Sequence, residues 1–412
     1  MKTLISLVAV LTFGIICSCQ QVDSGNDVSK NIVMDEKSSQ LISADNEFGL
    51  ELFQKIREES EKENIMISPL SISVAFAMAY NGADKDTKTE IEKAMKMNGL
   101  TTEQINNSYK MLINALQSLD KDVVFELANA IYYADDLQVK TDFLNINRNI
   151  YNAEVEKLDF AAPAAVETIN NWVADKTHDK ITKIIEKLNP LDRMVLLNAV
   201  YFNGIWKNKF DEKGTHNLPF TKTDGTTIEV AMMNKEEKLD YTTNSLFSAV
   251  KIPYGEGQYN MIVILPAIGK NSQDVINSLS TENWEKWESA FTVTDNVVVT
   301  MPRFKYEFKT ELEKVLTKMG MAKAFQPGVA DFSKISDEDL YISSALHKSY
   351  IDVNENGTEA AAVTSITFSR TSAGNEPPKT YFTVNKPFVF AITEKDTEAI
   401  LFIGELQHPV YD

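Results

Sequence analysis

The chain contains 412 residues, with 41 Lys and Arg against 59 Asp and Glu, which gives a formal net charge of −18. A hydrophobic fraction of 43% excludes a wholly disordered chain, because it provides enough apolar surface for a large core. The acidic balance argues against nucleic acid as a partner, since there is no excess of basic residues to displace counterions from phosphates.

The N-terminus has the pattern of an export signal. The apolar stretch Leu4–Ile16 is too short to span about 30 Å of hydrocarbon but suits the core of a signal peptide. Cys17 and Cys19 follow it and are the only cysteines, so no disulfide framework can hold the body together. Cys19, preceded by Ser18 and by an isoleucine three positions earlier, resembles the lipobox of bacterial lipoproteins. We expect residues 1–18 to be a lipoprotein signal peptide and Cys19 to be lipidated; ordinary secretion with cleavage near Cys19 is the alternative.

Residues 19–44 are rich in Ser, Asn, Asp, Gln and Lys and contain few apolar residues. This composition predicts a lipid-anchored polar tether between the anchor and the body. We expect the protein to be exported and attached through its lipid to a bacterial membrane, either at the outer membrane or at the cell surface. Without the lipid it would be secreted.

Residues 45–412 are predicted to form one large mixed α+β domain. Helices are predicted over five segments: Asn46–Glu59, Ser71–Tyr80, Thr101–Leu119, Ala164–Asp179 and Thr310–Met319. Strands, several of them continuous apolar runs, are predicted over seven: Val123–Tyr133, Met194–Phe202, Val250–Pro253, Met261–Leu265, Val297–Met301, Tyr381–Ile392 and Ile400–Leu406. No Pro-, Gly- or Ser-rich linker separates these elements, so one domain is favoured over the two or three that length alone suggests.

No conventional active site is visible in the sequence. The histidines form no His-Glu-x-x-His pair, and the body lacks cysteine, so a zinc site would lack its usual ligands. We interpret them as structural or surface residues: His178, His216, His347 and His408. No Gly-x-Ser-x-Gly elbow, Gly-x-Gly-x-x-Gly turn or Walker loop occurs, and Gly255-Glu256-Gly257 is interpreted as a hairpin turn. We expect neither enzymatic activity nor a metal or other cofactor.

The segment from Glu355 to Thr371 alternates between two faces, as a half-buried strand does. One face becomes more apolar along its length and consists of Thr358, Ala360, Ala362, Thr364, Ile366 and Phe368. The other face stays small or polar and consists of Glu359, Ala361, Val363, Ser365, Thr367 and Ser369. Gly374 and Pro377-Pro378 follow and indicate an exposed loop. A strand-capable sequence therefore leads directly into a loop.

Seven ordered motifs resemble those of the serpin family of serine protease inhibitors. They are Asn64–Ala83 (NIMISPLSISVAFAMAYNGA), Asn170–Ile181 (NNWVADKTHDKI), Leu196–Phe210 (LLNAVYFNGIWKNKF), Met301–Phe325 (MPRFKYEFKTELEKVLTKMGMAKAF), Ser349–Thr364 (SYIDVNENGTEAAAVT), Asn385–Phe390 (NKPFVF) and Leu401–Pro409 (LFIGELQHP). The resemblance implies the serpin fold, with about eight or nine helices around three β-sheets. It also implies an exposed reactive loop at about residues 355–378.

The resemblance further implies a suicide-substrate inhibitor of serine endopeptidases, with cysteine endopeptidases as further candidates. A protease that cleaves the loop is trapped as its acyl-enzyme while the N-terminal half of the loop inserts into the main sheet as a new strand. The hinge that inserts first matches the family motif at Glu355, Gly357, Thr358, Glu359, Ala360, Ala361, Ala362, Val363 and Thr364. Residues 360–364 are small, uncharged and free of Pro and Gly, which favours insertion. The alternative is a non-inhibitory serpin that acts as a binding protein or as a plain protease substrate.

The family spacing from Glu355 places the bond that a target protease attacks. Counting seventeen residues puts Thr371 before this bond and Ser372 after it, which suits an elastase-like protease with a small apolar pocket. A loop one residue shorter would make Arg370–Thr371 the inhibitory bond, since Arg370 suits a trypsin-like pocket. Phe368–Ser369 is a third option, for a chymotrypsin-like protease.

The helix Thr101–Leu119 corresponds in position to the glycosaminoglycan-binding helix of the family. It carries Lys110 as its only basic residue, so heparin activation is not expected. We expect a monomer whose partners are elastase-like and trypsin-like proteases and, through the lipid, a membrane.

Overall fold

The computed structural model describes residues 31–359 and 378–411. The predicted signal peptide, Cys19 and most of the predicted reactive loop lie outside these residues. Within the described ranges, no helix combines the length and the apolar composition needed to cross a lipid bilayer.

Nine α-helices occur in the described ranges. They are α1 (Glu36–Glu59), α2 (Pro69–Gly82), α3 (Lys85–Ala94), α4 (Thr102–Gln117), α5 (Thr141–Tyr151), α6 (Ala164–Lys176), α7 (Ser272–Asn277), α8 (Thr281–Ser289) and α9 (Glu313–Lys318). Short 3-10 turns lie at Glu212–Gly214 and Lys323–Phe325.

Fifteen strands occur in the same ranges. They are β1 (Ile65–Ile67), β2 (Val123–Ala134), β3 (Glu154–Leu158), β4 (Met194–Ile205), β5 (His216–Thr221), β6 (Thr227–Thr243), β7 (Phe247–Tyr254), β8 (Tyr259–Pro266), β9 (Thr292–Pro302), β10 (Phe304–Glu311), β11 (Leu346–Asn354), β12 (Gly357–Thr358), β13 (Thr380–Thr383), β14 (Phe388–Glu394) and β15 (Ile400–Leu406).

The six-stranded sheet has the order β10-β11-β12-β4-β2-β3. Antiparallel pairing joins β10 to β11 and β4 to β2, whereas β11 and β4 run parallel to each other. Both β2 and β4 are buried over most of their length, as their continuous apolar sequences predict. On one face Asn198 of β4 meets α2, and on the other Tyr132 of β2 packs edge-on against Trp172 of α6.

The nine-stranded sheet follows the path β1-β15-β14-β8-β7-β6-β9-β13, with β5 paired to β6. The long strand β6 joins two regions of this sheet, because its N-terminal part pairs with β5 and its C-terminal part with β7. Continuous pairing therefore connects the described strands into two sheets. The family resemblance implied three. The mixed α+β class predicted from the sequence is confirmed.

Helix α2 forms the centre of the core. Ser68 caps its N-terminus, where the side chain accepts a hydrogen bond from the amide of Ser71, and Pro69 occupies the first turn. All of its residues except Ala75 are buried, which agrees with its almost continuous apolar sequence. Because α2 is surrounded by protein, it fixes the spacing between the six-stranded sheet and the helices behind it.

Helix α1 begins ten residues before the predicted start at Asn46. Asp35 caps it by accepting a hydrogen bond from the amide of Ser38 at 2.7 Å. Leu41 and Ile42 are buried in the core, so residues 36–44 belong to the folded body and the expectation of a polar tether is wrong for them. The polar residues between these apolar positions lowered the average hydropathy and obscured the helical spacing.

Other boundaries also differ from the sequence prediction, three of them through a change of partner or an early end. The segment Tyr381–Ile392 forms two strands, since β13 pairs with β9 and β14 pairs with β8 in another part of the sheet. The chain crosses between them at Lys386-Pro387, where the proline has no amide to donate to a ladder. The helix predicted from Thr310 begins at Glu313, because Thr310 still pairs within β10, and α6 ends at Lys176 rather than at Asp179.

Candidate functional site

The candidate site is the space between β4 and β11 in the six-stranded sheet. These parallel strands are neighbours, yet among the described residues they pair directly only at Lys348 and Ala199. Toward their C-terminal ends the two-residue strand β12 lies between them and pairs antiparallel with both. We call the space that continues from β12 toward Lys348 the sheet gap. Gly357 and Thr358 already fill its first two positions, and it ends where Lys348 and Ala199 pair directly.

Glu355 begins the hinge and is anchored from three sides. Its carboxylate accepts a hydrogen bond from the Thr215 hydroxyl and lies 3.5 Å from the Arg303 guanidinium. Its backbone carbonyl accepts from the amide of Phe210 at 2.9 Å. With the whole residue only 3% exposed, these contacts satisfy a buried charge and fix the point at which the hinge starts.

Trp206 braces the backbone on both sides of Glu355. Its indole Nε1 donates to the carbonyl of Asn354 at 2.8 Å, and its amide donates to the carbonyl of Asn356 at 2.9 Å. The indole also stacks on the ring of Tyr254 at a centroid distance of 4.3 Å. Any movement of residues 354–356 therefore changes the surroundings of this tryptophan.

Gly357 and Thr358 fill the first two positions between β4 and β11. A Cβ atom on Gly357, whose φ is 154°, would overlap with the carbonyl oxygen of Gly204 in β4. The position thus requires glycine. Thr358 is 2% exposed, and its hydroxyl shares a 2.6 Å hydrogen bond with the Tyr254 hydroxyl, so its side chain faces the core.

Glu359 is the last described residue before the reactive loop. Its amide donates to the carbonyl of Asp352 at 2.7 Å, as a continuing ladder requires. Its φ of 61° nevertheless lies in the left-handed region, which is not the extended conformation of a strand residue. Its carboxylate pairs with Lys180 at 2.9 Å. Burial raises the pKa of the Glu359 carboxyl, and Lys180 offsets only part of that effect.

Of the predicted site residues, the structure describes Glu355, Gly357, Thr358 and Glu359 and brings all four to the end of the sheet gap. The remaining hinge residues lie outside the described residues, as do both residues of the predicted bond Thr371–Ser372 and its alternative Arg370–Thr371. The chain resumes at Pro378, and Lys379 pairs with Glu236 of β6 at 2.9 Å. The two described ends of the loop thus belong to different sheets.

The other end of the sheet gap contains buried polar atoms without partners. Nε2 of His347 accepts a hydrogen bond from the amide of Ser68 at 3.2 Å, which requires a neutral imidazole. Burial lowers the pKa of His347 to about 3. Nδ1 of His347 and Oδ1 of Asn198 have no partner, and both residues line a cavity of about 30 Å³ together with Ile72 and Leu196.

The loop that follows α6, residues 177–193, lies over the outer face of the sheet gap. Lys348 of β11 donates a hydrogen bond to the backbone carbonyl of Lys183 in this loop at 3.1 Å and pairs with Glu307 at 2.7 Å. The loop is tied back to α6, because the side-chain amide oxygen of Asn170 accepts hydrogen bonds from the amides of Ile184 and Ile185. A strand that entered the gap would therefore pass beneath an ordered cover.

Sequence reasoning missed the residues that hold the hinge from outside it. Thr215, Arg303 and Trp206 come from segments far away in the chain. Arg303 and Trp206 belong to motifs that the sequence singled out, but their contacts with the hinge were not predicted, and Thr215 belongs to no such motif. Among residues 31–359 and 378–411 no cluster of His, Cys, Asp and Glu has the geometry of a metal site. The arrangement can bind a polypeptide strand by backbone pairing, as β12 already does.

The comparisons with known proteins agree with this geometry. A family model described as serpin (serine protease inhibitor) matches residues 43–409. An uncharacterized serpin-like protein of Methanosarcina acetivorans is 32% identical over 98% of this chain and 99% of its own. Intracellular coagulation inhibitor 2 of Tachypleus tridentatus is 34% identical over 90% of this chain and 92% of its own. The crystal structure of the thermophilic serpin tengpin in its native state superposes with a TM-score of 0.83 at 34% identity, covering 92% of this chain and 96% of that one.

Proposed function

Since the chain belongs to the serpin family, whose members are in general protease inhibitors and not enzymes, we propose that it inhibits serine endopeptidases as a suicide substrate. The observation that carries the proposal is the position of Gly357 and Thr358 between β4 and β11. These strands share one direct pairing among the described residues, so little backbone hydrogen bonding opposes the entry of a new strand. Cysteine endopeptidases that cleave the same loop are included in the proposal.

The register of β12 predicts how the rest of the hinge would enter. Thr358 pairs with Val353 and Gly204 and faces the core. Continuing this antiparallel register puts every even-numbered residue on the core side. That face consists of Ala360, Ala362, Thr364, Ile366 and Phe368. The face that the sequence shows to be the more apolar would therefore meet the core.

Thr364 would arrive opposite His347 and Asn198. The partnerless Nδ1 and Oδ1 atoms of these residues supply a donor and an acceptor for a threonine hydroxyl. The next core-facing side chain, Ile366, would lie opposite Leu196, which lines the cavity beside them. Insertion would stabilise the sheet, because it would supply hydrogen-bond partners for buried polar atoms that have none in the resting state.

The target proteases follow from the loop sequence. Thr371–Ser372 suits an elastase-like protease, Arg370–Thr371 a trypsin-like protease and Phe368–Ser369 a chymotrypsin-like one. We expect no heparin requirement, because α4 carries Lys110 as its sole basic residue. The net charge of −18 argues equally against nucleic acid, and we expect the inhibitor to act as a monomer.

A protease panel tests the proposal. We expect covalent complexes with an elastase and with a trypsin-like protease that survive SDS, with a new N-terminus at Ser372 or at Thr371. The control variant is Thr358→Arg, which would bury an unpaired guanidinium beside Tyr254 and so block insertion. It should be cleaved at the same bond without forming a complex. If the unaltered protein is also only cleaved, the inhibitory proposal fails and the chain is a protease substrate or a binding protein.

We also propose that the protein is exported and held at a bacterial membrane, either the outer membrane or the cell surface, by a lipid on Cys19 after removal of residues 1–18. The support is the sequence of the N-terminus, and residues 20–34 are long enough to serve as a tether before α1 begins. Expression of the full chain in bacteria with radiolabelled palmitate should label the protein, and Cys19→Ala should abolish the label. An unlabelled membrane-free product from the unaltered chain would favour ordinary secretion.

A further inference from the structure

The loop after α6 carries two consecutive residues in the left-handed region, His178 with φ 50° and Asp179 with φ 61°. Neither is glycine, so the conformation is unfavourable and must be held by contacts. The His178 ring lies 4.4 Å from the ring of Tyr201 in β4, and its Nε2 lies 3.2 Å from the carboxylate of Glu126 in β2. These contacts fix the loop on the outer face of the sheet and set the direction of the next side chain, Lys180.

Lys180 reaches from this loop to the hinge. Its ammonium lies 2.9 Å from the Glu359 carboxylate, which is 7% exposed, and 5.9 Å from the centre of the Tyr350 ring. Burial raises the pKa of the Glu359 carboxyl, Lys180 and the Tyr201 hydroxyl lower it, and the carboxylate of Asp352 raises it. Lys180 is thus the cation that balances a nearly buried negative charge among these groups.

We propose that Lys180 is a positioning residue for loop insertion, which holds Glu359 in its left-handed exit conformation and so stops the resting hinge after Thr358. We call the Lys180–Glu359 ion pair the latch. For residue 360 to enter the sheet gap, φ of Glu359 must become extended, and its carboxylate must leave Lys180. The latch therefore opposes insertion until loop cleavage releases the strand. This inference rests on the proposed function, because it concerns the same insertion.

The test measures insertion of the uncleaved loop, which needs no protease. The mature full-length protein is incubated a few degrees below its unfolding midpoint, and the fraction that has become resistant to urea unfolding is followed with time. Lys180→Met and Glu359→Gln should each speed this conversion about tenfold, as expected for the loss of a charged hydrogen bond worth roughly 1.4 kcal/mol. Lys180→Arg keeps the charge and should stay near the unaltered rate.

Two further variants separate the latch from a general effect on the loop. Lys183→Met removes an exposed lysine of the same loop, whose partner is Glu186, and should not change the rate. The double variant Lys180→Met, Glu359→Gln should convert no faster than either single variant, since both remove the same pair. The proposal would be overturned if the effects of the two single substitutions on the conversion rate added up in the double variant. It would also be overturned if Lys180→Met converted at the same rate as Lys183→Met.

The latch and the inhibitory function fail in different ways. If the unaltered protein forms no covalent complexes but Lys180→Met still speeds conversion, the latch stands and the inhibitory proposal falls. If the unaltered protein traps proteases and Lys180→Met leaves the conversion rate unchanged, only the latch is wrong.

Discussion

Gly357 lies where the hinge backbone touches the carbonyl of Gly204, and Trp206 touches the hinge on both sides of Glu355. The contact of Gly357 leaves no room for a side chain, so a substitution there should move the hinge. The contacts of Trp206 make its fluorescence sensitive to the position of the hinge, so the movement can be observed.

Gly357→Ala should expel the hinge from the sheet. The added Cβ would overlap with the backbone of β4, which cannot move aside as a side chain can. We expect the free energy of unfolding to fall by about 1–3 kcal/mol, the usual range for overpacking. The intrinsic fluorescence of Trp206 should change at the same time, because its partners Asn354 and Asn356 move with the hinge.

Gly225→Ala provides the matched control for this substitution. Gly225 also has a positive φ, 81°, but no heavy atom lies within 4 Å of the position that its Cβ would take. Alanine there should lower the free energy of unfolding by about 1–2 kcal/mol, the cost of holding a residue with a Cβ in the left-handed conformation. The tryptophan fluorescence should stay unchanged. An unaltered spectrum for Gly357→Ala would show that the hinge does not depend on this contact.

The sequence could identify the hinge residues but not the residues that hold them. Glu355 and Gly357 belong to a short motif that is readable from adjacent positions. Arg303 and Thr215 meet Glu355 only because β10 lies beside β11 and the 3-10 turn at 212–214 lies near the hinge. Neither periodicity nor spacing carries that long-range information.

Among the secondary structure elements, those with a dense apolar pattern were predicted well. Strands β2 and β4 and helix α2 occur where continuous apolar sequence placed them. The start of α1 was missed because its buried residues are separated by polar ones, and the split between β13 and β14 was missed because both halves are apolar. A boundary between two apolar segments depends on their partners in the sheet, which a single sequence does not reveal.

Two buried ionisable groups connect elements around α2. Asp45 of α1 accepts a hydrogen bond from the Tyr109 hydroxyl of α4 at 2.7 Å, and its other carboxylate oxygen has no partner. Burial raises the pKa of Asp45 to about 7. His347 connects β11 to the cap of α2, and burial lowers its pKa to about 3. The folded state thus prefers both groups neutral.

These two groups should give opposite dependences of stability on pH between pH 5 and 6. The unfolded chain binds a proton at His347 that the folded protein does not, so this group makes stability rise with pH. The folded protein keeps a proton at Asp45 that the unfolded chain has lost, so that group makes stability fall with pH. Each contributes a slope of about 1.4 kcal/mol per pH unit, and the two nearly cancel.

Urea unfolding at several pH values measures these slopes. Compared with the unaltered protein, Asp45→Asn should shift the slope of unfolding free energy against pH by about +1 kcal/mol per pH unit, and His347→Gln by about the same amount in the opposite direction. Only the slopes matter, so a loss of stability common to all pH values does not affect the result. Equal slopes in all three proteins would mean that both groups titrate normally in the folded state.

At the scale of the whole molecule, the six-stranded sheet is incomplete in its resting state. The sheet gap leaves β4 and β11 with one direct pairing among the described residues, and it ends at unsatisfied polar atoms of His347 and Asn198. Under the proposed function, such a fold persists because conversion is slow and not because it is the most stable arrangement. Cleavage of the loop would then allow the strand to enter.

Cleavage of the loop should raise the unfolding midpoint on the order of 20 °C. A strand that continues from Thr358 to Phe368 adds roughly ten ladder hydrogen bonds, each contributing about 1 kcal/mol, and about 2 °C per kcal/mol is the expected scale for a large domain. Cleavage with a non-target protease and calorimetry before and after the cut measure this gain. A cut that leaves the midpoint unchanged would identify a loop that acts as a plain substrate.

The register gives this measurement an internal control at adjacent residues. Thr364→Arg would bury an unpaired guanidinium between His347 and Asn198, so the cleaved variant should show little or no gain. Ser365→Arg would point to the outer face of the sheet, toward the loop after α6 and away from His347 and Asn198, and should keep more of the gain than Thr364→Arg. Both variants carry the same new charge and differ by one position in the strand. The opposite result, a gain for Thr364→Arg and none for Ser365→Arg, would mean that the inserted strand slips by one residue from the register that β12 sets.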